Sequence, residues 1–185
     1  MTSTADAPAP FANALRSLGA ARTRPDIILR EVPAPTRMAP FAAAIEAVPA
    51  DEDVDASGRL VVLYDPESRD VWSGSLRLVA LVRSHVEAEI GDDSLWPQVA
   101  WSWLTDALSD APHEARGGTV TRVVSQGFED ISAEDPDVTV EIRASWTPSS
   151  DDLEPHVRAW TDLLAACAGR PPRPHAGATS CATPL

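Results

Sequence analysis

Between residues 75 and 90 apolar and polar side chains alternate almost without interruption. Leu76, Leu78, Ala80, Val82, Val86, Ala88 and Ile90 fall on one side, and Arg77, Arg83, His85, Glu87 and Glu89 on the other. Successive side chains of an extended strand point to opposite faces, so the pattern calls for a sheet with one dry and one wet face. It returns at 138–146, where Val138, Val140, Ile142, Ala144 and Trp146 alternate with Thr139, Glu141, Arg143 and Ser145. Any fold available to the chain must bury one side of both segments. Val82, Val86 and Ile90 also stand at i, i+4 and i+8. A strand is therefore predicted over 75–84, and 85–90 is left open between strand and helix.

The remaining elements follow from shorter signals. Phe11, Leu15 and Leu18 repeat at helical spacing before Gly19, which predicts a short helix. Residues 26–32 (DIILREV) read as a strand closed by prolines. Pro40 can open a helix, and Phe41, Ile45 and Val48 follow at helical spacing until Pro49, so a helix is predicted there. The run 60–64 (LVVLY) reads as a central strand. Ser94, after two aspartates, can cap a helix reaching about residue 108. Residues 119–128 read as a strand joined to 138–146 by an acidic hairpin loop. The last helix has an apolar stripe of Leu153, Val157, Trp160, Leu164 and Cys167, with Asp151 and Glu154 as a capping-box variant and Gly169 as its stop. His156 is assigned to its polar side.

The predicted order is α-β-α-β-β-α-β-β-α, with two hairpin-plus-helix units at 59–109 and 118–168. Strands joined mainly by hairpins predict an α+β fold: a mostly antiparallel sheet of about five strands with helices on one face. One domain is expected over 11–169. Disordered segments are expected at 1–10 and 170–185, which are rich in Ala, Pro and Thr.

The chain of 185 residues carries 15 basic and 28 acidic side chains, a net charge of -13, and every basic residue is arginine. That balance repels phosphate backbones and anionic lipid, so neither nucleic acid nor a membrane is the expected partner. No apolar run approaches the ~18 residues of a spanning helix, and the start lacks the pattern of a signal peptide. The expectation is a cytoplasmic protein. Much of the acid lies in 51–55, 129–137 and 151–154, which are turns and a helix start.

No motif brings a known chemistry. Asp51, Asp53 and Asp55 alternate like the start of a calcium loop, but Ala56 stands where glycine is needed and Val62 where the closing carboxylate belongs. Cys167, His175 and Cys181 lack zinc-ligand spacing. There is no phosphate-binding loop, no G-x-S-x-G and no dinucleotide fingerprint. No metal and no cofactor is assigned. Arg77, Arg83 and His85, with Arg143 from the later strand, share the predicted polar face and form a candidate ligand-binding set. Two arginines can grip a carboxylate or phosphate bidentately. A mixed-charge face is also the ordinary way to wet one side of a sheet.

Six tryptophans accompany a single tyrosine. Three of them, Trp96, Trp101 and Trp103, fall in one predicted helix. Trp96 and Trp103 share its apolar face, while Trp101 points elsewhere. Trp101 is then either tucked into the core or part of an interaction surface, where exposed Trp is enriched.

The strings LWPQVAWSWLTDAL (95–108), GGTVTRVVSQGF (117–128) and VEIRASWTP (140–148) resemble an actinobacterial family of uncharacterised proteins, a domain of unknown function numbered three thousand. The resemblance covers about 24–170. It implies an actinobacterial source, in keeping with the missing lysine, and carries no activity, cofactor or catalytic residue. The functional expectation is a non-enzymatic protein-interaction or adaptor domain, chaperone-like in its helix–strand order, with an unidentified protein partner or a second copy. The alternative is a small-ligand-binding protein or enzyme with an unfamiliar Arg/His site on the sheet face.

Overall fold

The computed structural model describes residues 7–86, 94–129 and 137–170. Helix α1 spans Ala9–Ala20, followed by strands β1 (Ile27–Val32), β2 (Phe41–Pro49) and β3 (Ala56–Tyr64). A one-turn helix α2 (Arg69–Trp72) leads into β4 (Leu76–Val86). Helix α3 (Trp96–Ala107) is followed by β5 (His113–Ser125), β6 (Asp137–Pro148) and helix α4 (Glu154–Cys167). The strands form one six-stranded sheet in the order β1-β2-β3-β4-β6-β5. Every neighbouring pair is antiparallel. The fold is α+β, as the sequence predicts, with one strand more than expected.

The additional strand is β2, where a helix over 41–48 was expected. Phe41 and Ile45 lie four apart, which suits a strand as well as a helix, because both positions then share a face. Val48 breaks the tie and falls on the opposite face. Alanine is the best helix former, but intrinsic propensity is worth only about a few tenths of a kcal/mol per residue, and pairing to β1 on one side and β3 on the other outweighs it. Residues 85 and 86 continue β4. Residues 87–90, the other part of the segment left open, lie outside the described residues, as do 1–6 and 171–185 of the expected disordered ends.

One sheet face is covered by α1, α3 and α4. The dry sides of β4 and β6 meet Leu153, Val157, Trp160 and Leu164 of the α4 segment and Trp96, Ala100 and Leu104 of α3 in one core. Phe11 holds α1 down: its ring lies 5.8 Å from Phe41 and 6.2 Å from Tyr64. Gly58 of β3 leaves room for an indole, and a Cβ placed there meets Cζ2 of Trp160 at 2.9 Å.

The start of α4 is built differently from the capping box. Leu153 is its N-cap residue and supplies no side-chain bond. The Leu153 amide donates instead to the hydroxyl of Ser17 on α1. Asp151 accepts from Asn13 at 2.7 Å, and Asp152 accepts from the Glu154 amide at 3.1 Å. Similarly, α3 begins from Leu95 without a side-chain cap, so Ser94 does not serve as one. The end of α4 follows expectation. Gly169 adopts φ +70°, its amide bonds Ala166 and that of Arg170 bonds Ala165, a Schellman stop. Because Ser17 caps a helix across the fold, Ser17→Ala is expected to lower stability by about 1 kcal/mol, measured by urea unfolding, without changing the far-UV spectrum.

Candidate functional site

Among the described residues, the second sheet face carries no helix longer than the single turn of α2. At one end the loop 33–40 and Trp72 lie over a small apolar cluster of Ala44, Val61 and Leu63. Toward the other end polar side chains stand in cross-strand rows. One row runs Arg30, Glu46, Arg59, Leu81, Arg143 and Thr119 from β1 to β5. The next includes Ser57, Arg83, Glu141 and Thr121.

All four residues of the predicted ligand set, Arg77, Arg83, His85 and Arg143, lie on this face, as the alternation requires, but they do not converge. Arg83 and Arg143 both serve Glu141. Arg83 Nη2 lies 2.9 Å from Oε2, and Arg143 Nε lies 2.6 Å from Oε1. Glu141 is 8% exposed. The Arg143 and Arg83 hydrogen bonds hold its carboxyl below the usual carboxylate range despite burial. His85 stands at the rim, its Nδ1 2.6 Å from Oδ1 of Asp137, with both side chains well exposed.

Arg77 is different. Its Nη1 donates to the Ala115 carbonyl at 2.9 Å and to Thr147 Oγ1 at 3.1 Å, and Nη2 donates to Ser145 Oγ at 2.7 Å. No carboxylate pairs with it among the described residues. Burial lowers its pKa from the ordinary arginine value. The Ala115 carbonyl reaches Arg77 through a β-bulge at Glu114/Gly117, where Ala115 takes φ +49°.

The tryptophans of α3 divide. Trp96 is 7% exposed and belongs to the core, where its ring meets Trp103 edge-on at 5.5 Å. Trp101 and Trp103 are half-buried against the same core. The exposed apolar side chains of this segment are Leu95 and Val99.

Three further groups are tied into the structure, and a fourth, Cys167, is buried in it. Asp51 accepts from the Asp53 amide and from Arg170, so the acidic run at 51–55 is tied to the end of α4. Arg24 is buried and bonds Asp26 through two nitrogens at 2.9 Å each. That hydrogen bonding lowers the Asp26 carboxyl. Cys167 is buried, which pushes its thiol up to about 12 and leaves it a poor nucleophile.

His156, which the helical pattern assigns to a polar side, is 2% exposed. Its Nδ1 accepts from the indole Nε1 of Trp146 at 3.1 Å. Burial, assisted by the nearby His113, lowers its pKa to about 4. The apolar face of α4 is wider than its stripe, and a Trp donor on β6, ten residues away in sequence, is what makes an imidazole acceptable there.

No helix among the described residues is long and apolar enough to cross a membrane. No curated protein and no solved structure matches the chain. A family model matches residues 7–178, nearly the full length, under the description protein of unknown function (DUF3000). With the match running through the sheet, its uncovered face and the helices behind it, the chain belongs to the DUF3000 family.

Proposed function

We propose that this protein is a non-enzymatic binding domain whose uncovered sheet face docks an acidic segment of a protein partner. One observation carries the reading. In the whole chain acidic residues outnumber basic ones, 28 to 15. The strand residues of the uncovered face change the sign of that balance, with five basic residues to four acidic ones. Arg30, Arg59, Arg77, Arg83 and Arg143 stand against Glu46, Glu114, Asp137 and Glu141. A locally cationic face on an acidic molecule steers an anionic partner to one place and repels it elsewhere.

The alternative of a catalytic Arg/His centre has less support. Arg83 and Arg143 are engaged by Glu141, and His85 sits at the rim with Asp137. The tryptophans add less to a docking surface than their number suggests, since Trp96 is in the core and Trp101 and Trp103 pack against it.

The test is fluorescence anisotropy with a labelled Glu-rich peptide. Binding is expected to weaken steeply as salt rises, because the contacts lie at a surface. The double neutralisation Arg30→Gln/Arg59→Gln, which avoids setting like charges beside Glu46, is expected to reduce affinity roughly fivefold or more while leaving the melting temperature close to wild type. Equal affinity of wild type and double variant would remove the uncovered face from the interaction.

A further inference from the structure

Arginine presents five N–H donors, and a carboxylate is gripped best by two of them on one edge. The fold uses Arg77 for three bonds: two from Nη1, to Ala115 and Thr147, and one from Nη2, to Ser145. The Nε–H and one Nη2–H remain, and the Nε–H shares an edge of the guanidinium with the Nη2 amine. The Nε–H has no partner among the described residues and is not sealed from solvent.

The surroundings hold that edge in place. Thr147 Oγ1 accepts from Arg77 and donates to the Trp72 carbonyl, so the hydroxyl is oriented on both sides. Ala115 adopts a left-handed conformation that costs a non-glycine residue about 1–2 kcal/mol, and it turns a carbonyl onto Nη1. Ser145 accepts from Arg77 and keeps its own hydroxyl proton to donate. Leu63, opposite Arg77 on β3, is buried and contributes an apolar flank. Each nearby polar contact fixes the cation, and none is a counter-charge.

We propose that the Nε/Nη2 edge of Arg77, with the Ser145 hydroxyl beside it, is a carboxylate seat that receives an Asp or Glu side chain of the docked segment. This deepens the docking function proposed above and rests on it for the source of the carboxylate. Arg83 and Arg143 are already charge-paired with Glu141, so a second carboxylate at either meets that anion. A bound carboxylate brings the missing counter-charge into a partly desolvated position, where it counts for more than on an open surface.

The experiment follows the arginine Nε–H resonances by NMR while the full-length protein is titrated separately with acetate, inorganic phosphate and the Glu-rich peptide. The expected result is a saturable shift of the Arg77 signal with acetate and with peptide, while the signals of Arg83 and Arg143 stay in place. Arg77→Lys keeps the charge but loses the fork, and peptide affinity is expected to fall at least roughly tenfold. Ser145→Ala leaves Arg77 present and is expected to weaken acetate binding by a smaller factor. An unmoved Arg77 signal, parallel shifts of all exposed arginines, or a response to phosphate without one to acetate each overturns the seat. Peptide binding with Arg77 unmoved removes the seat and keeps the docking face. Acetate binding without peptide binding keeps the seat and removes the docking function.

Discussion

Acidification from pH 7 to pH 4 is expected to cost this fold about 3 kcal/mol through His156 alone. The imidazole is buried, accepts a hydrogen bond from Trp146 and has its pKa lowered to about 4 from an ordinary value of 6.5. Above 6.5 the ring is neutral in both folded and unfolded chains and the full stability is present. Between 6.5 and about 4 the unfolded chain takes up a proton that the folded chain refuses, so stability falls. Below about 4 both states are protonated and this loss stops growing. A shift of about 2.5 pH units at 1.36 kcal/mol per unit gives the magnitude. The carboxyls of Asp26 and Glu141, both lowered by arginine partners, act in a later window. Their contribution is present at neutral pH and is lost only as pH falls below the ordinary carboxylate range and through their folded values.

Urea midpoints measured across that range separate the two. His156→Gln keeps an acceptor for the indole and removes the titration, so its stability is expected to stay nearly level from pH 6.5 to 4 while wild type declines. Parallel curves for the two proteins would show that some other group carries the acid dependence.

The second large effect belongs to Trp160 and Gly58. The indole is fully buried, with its Nε1 3.4 Å from the Leu81 carbonyl and its ring over Gly58. Trp160→Ala is expected to destabilise by about 3–5 kcal/mol, since it leaves a large hole between α4 and the sheet. Gly58→Ala produces the opposite fault. Its new methyl lies 2.9 Å from Cζ2 and 3.1 Å from Cε2 of Trp160, so the ring or the strand must move, at about 1–3 kcal/mol. The two sites are in contact and their effects should not add. Phe at 160 lacks the atoms that the methyl meets. Gly58→Ala is therefore expected to cost distinctly less in a Trp160→Phe background, a coupling of order 1 kcal/mol in a double-mutant cycle by denaturant unfolding. Strict additivity would mean that the strand, and not the indole, gives way.

These predictions also mark where local sequence stops being informative. The strands β4 and β6 and the helix α4 are legible because neighbours at i+2, or at i+3 and i+4, carry their own evidence of periodicity. Strand β2 is not, because Phe41 and Ile45 satisfy both periods and its alanines favour a helix. Only its two partner strands decide it. The wet face of the sheet is likewise legible from alternation, and Arg77, Arg83, His85 and Arg143 do share it. Which of them retains an open donor edge is not, because that depends on the register that sets Arg83 opposite Glu141 and on a bulge that brings Ala115 to Arg77.

Alternation and helical spacing in the chain suffice for the α+β class, the antiparallel pairing and the side of each strand that faces the core, since these rest on contacts within a few residues. The strand at 41–49, the burial of His156 beneath Trp146, the capping of α4 by Ser17 and the neutral hydrogen-bond partners that hold Arg77 belong to the tertiary structure. Ser17 and Leu153 are 136 residues apart, and Arg77 and Ser145 are 68 apart. At such separations no sequence period links the partners, and only the packing of helices onto a registered sheet brings them together.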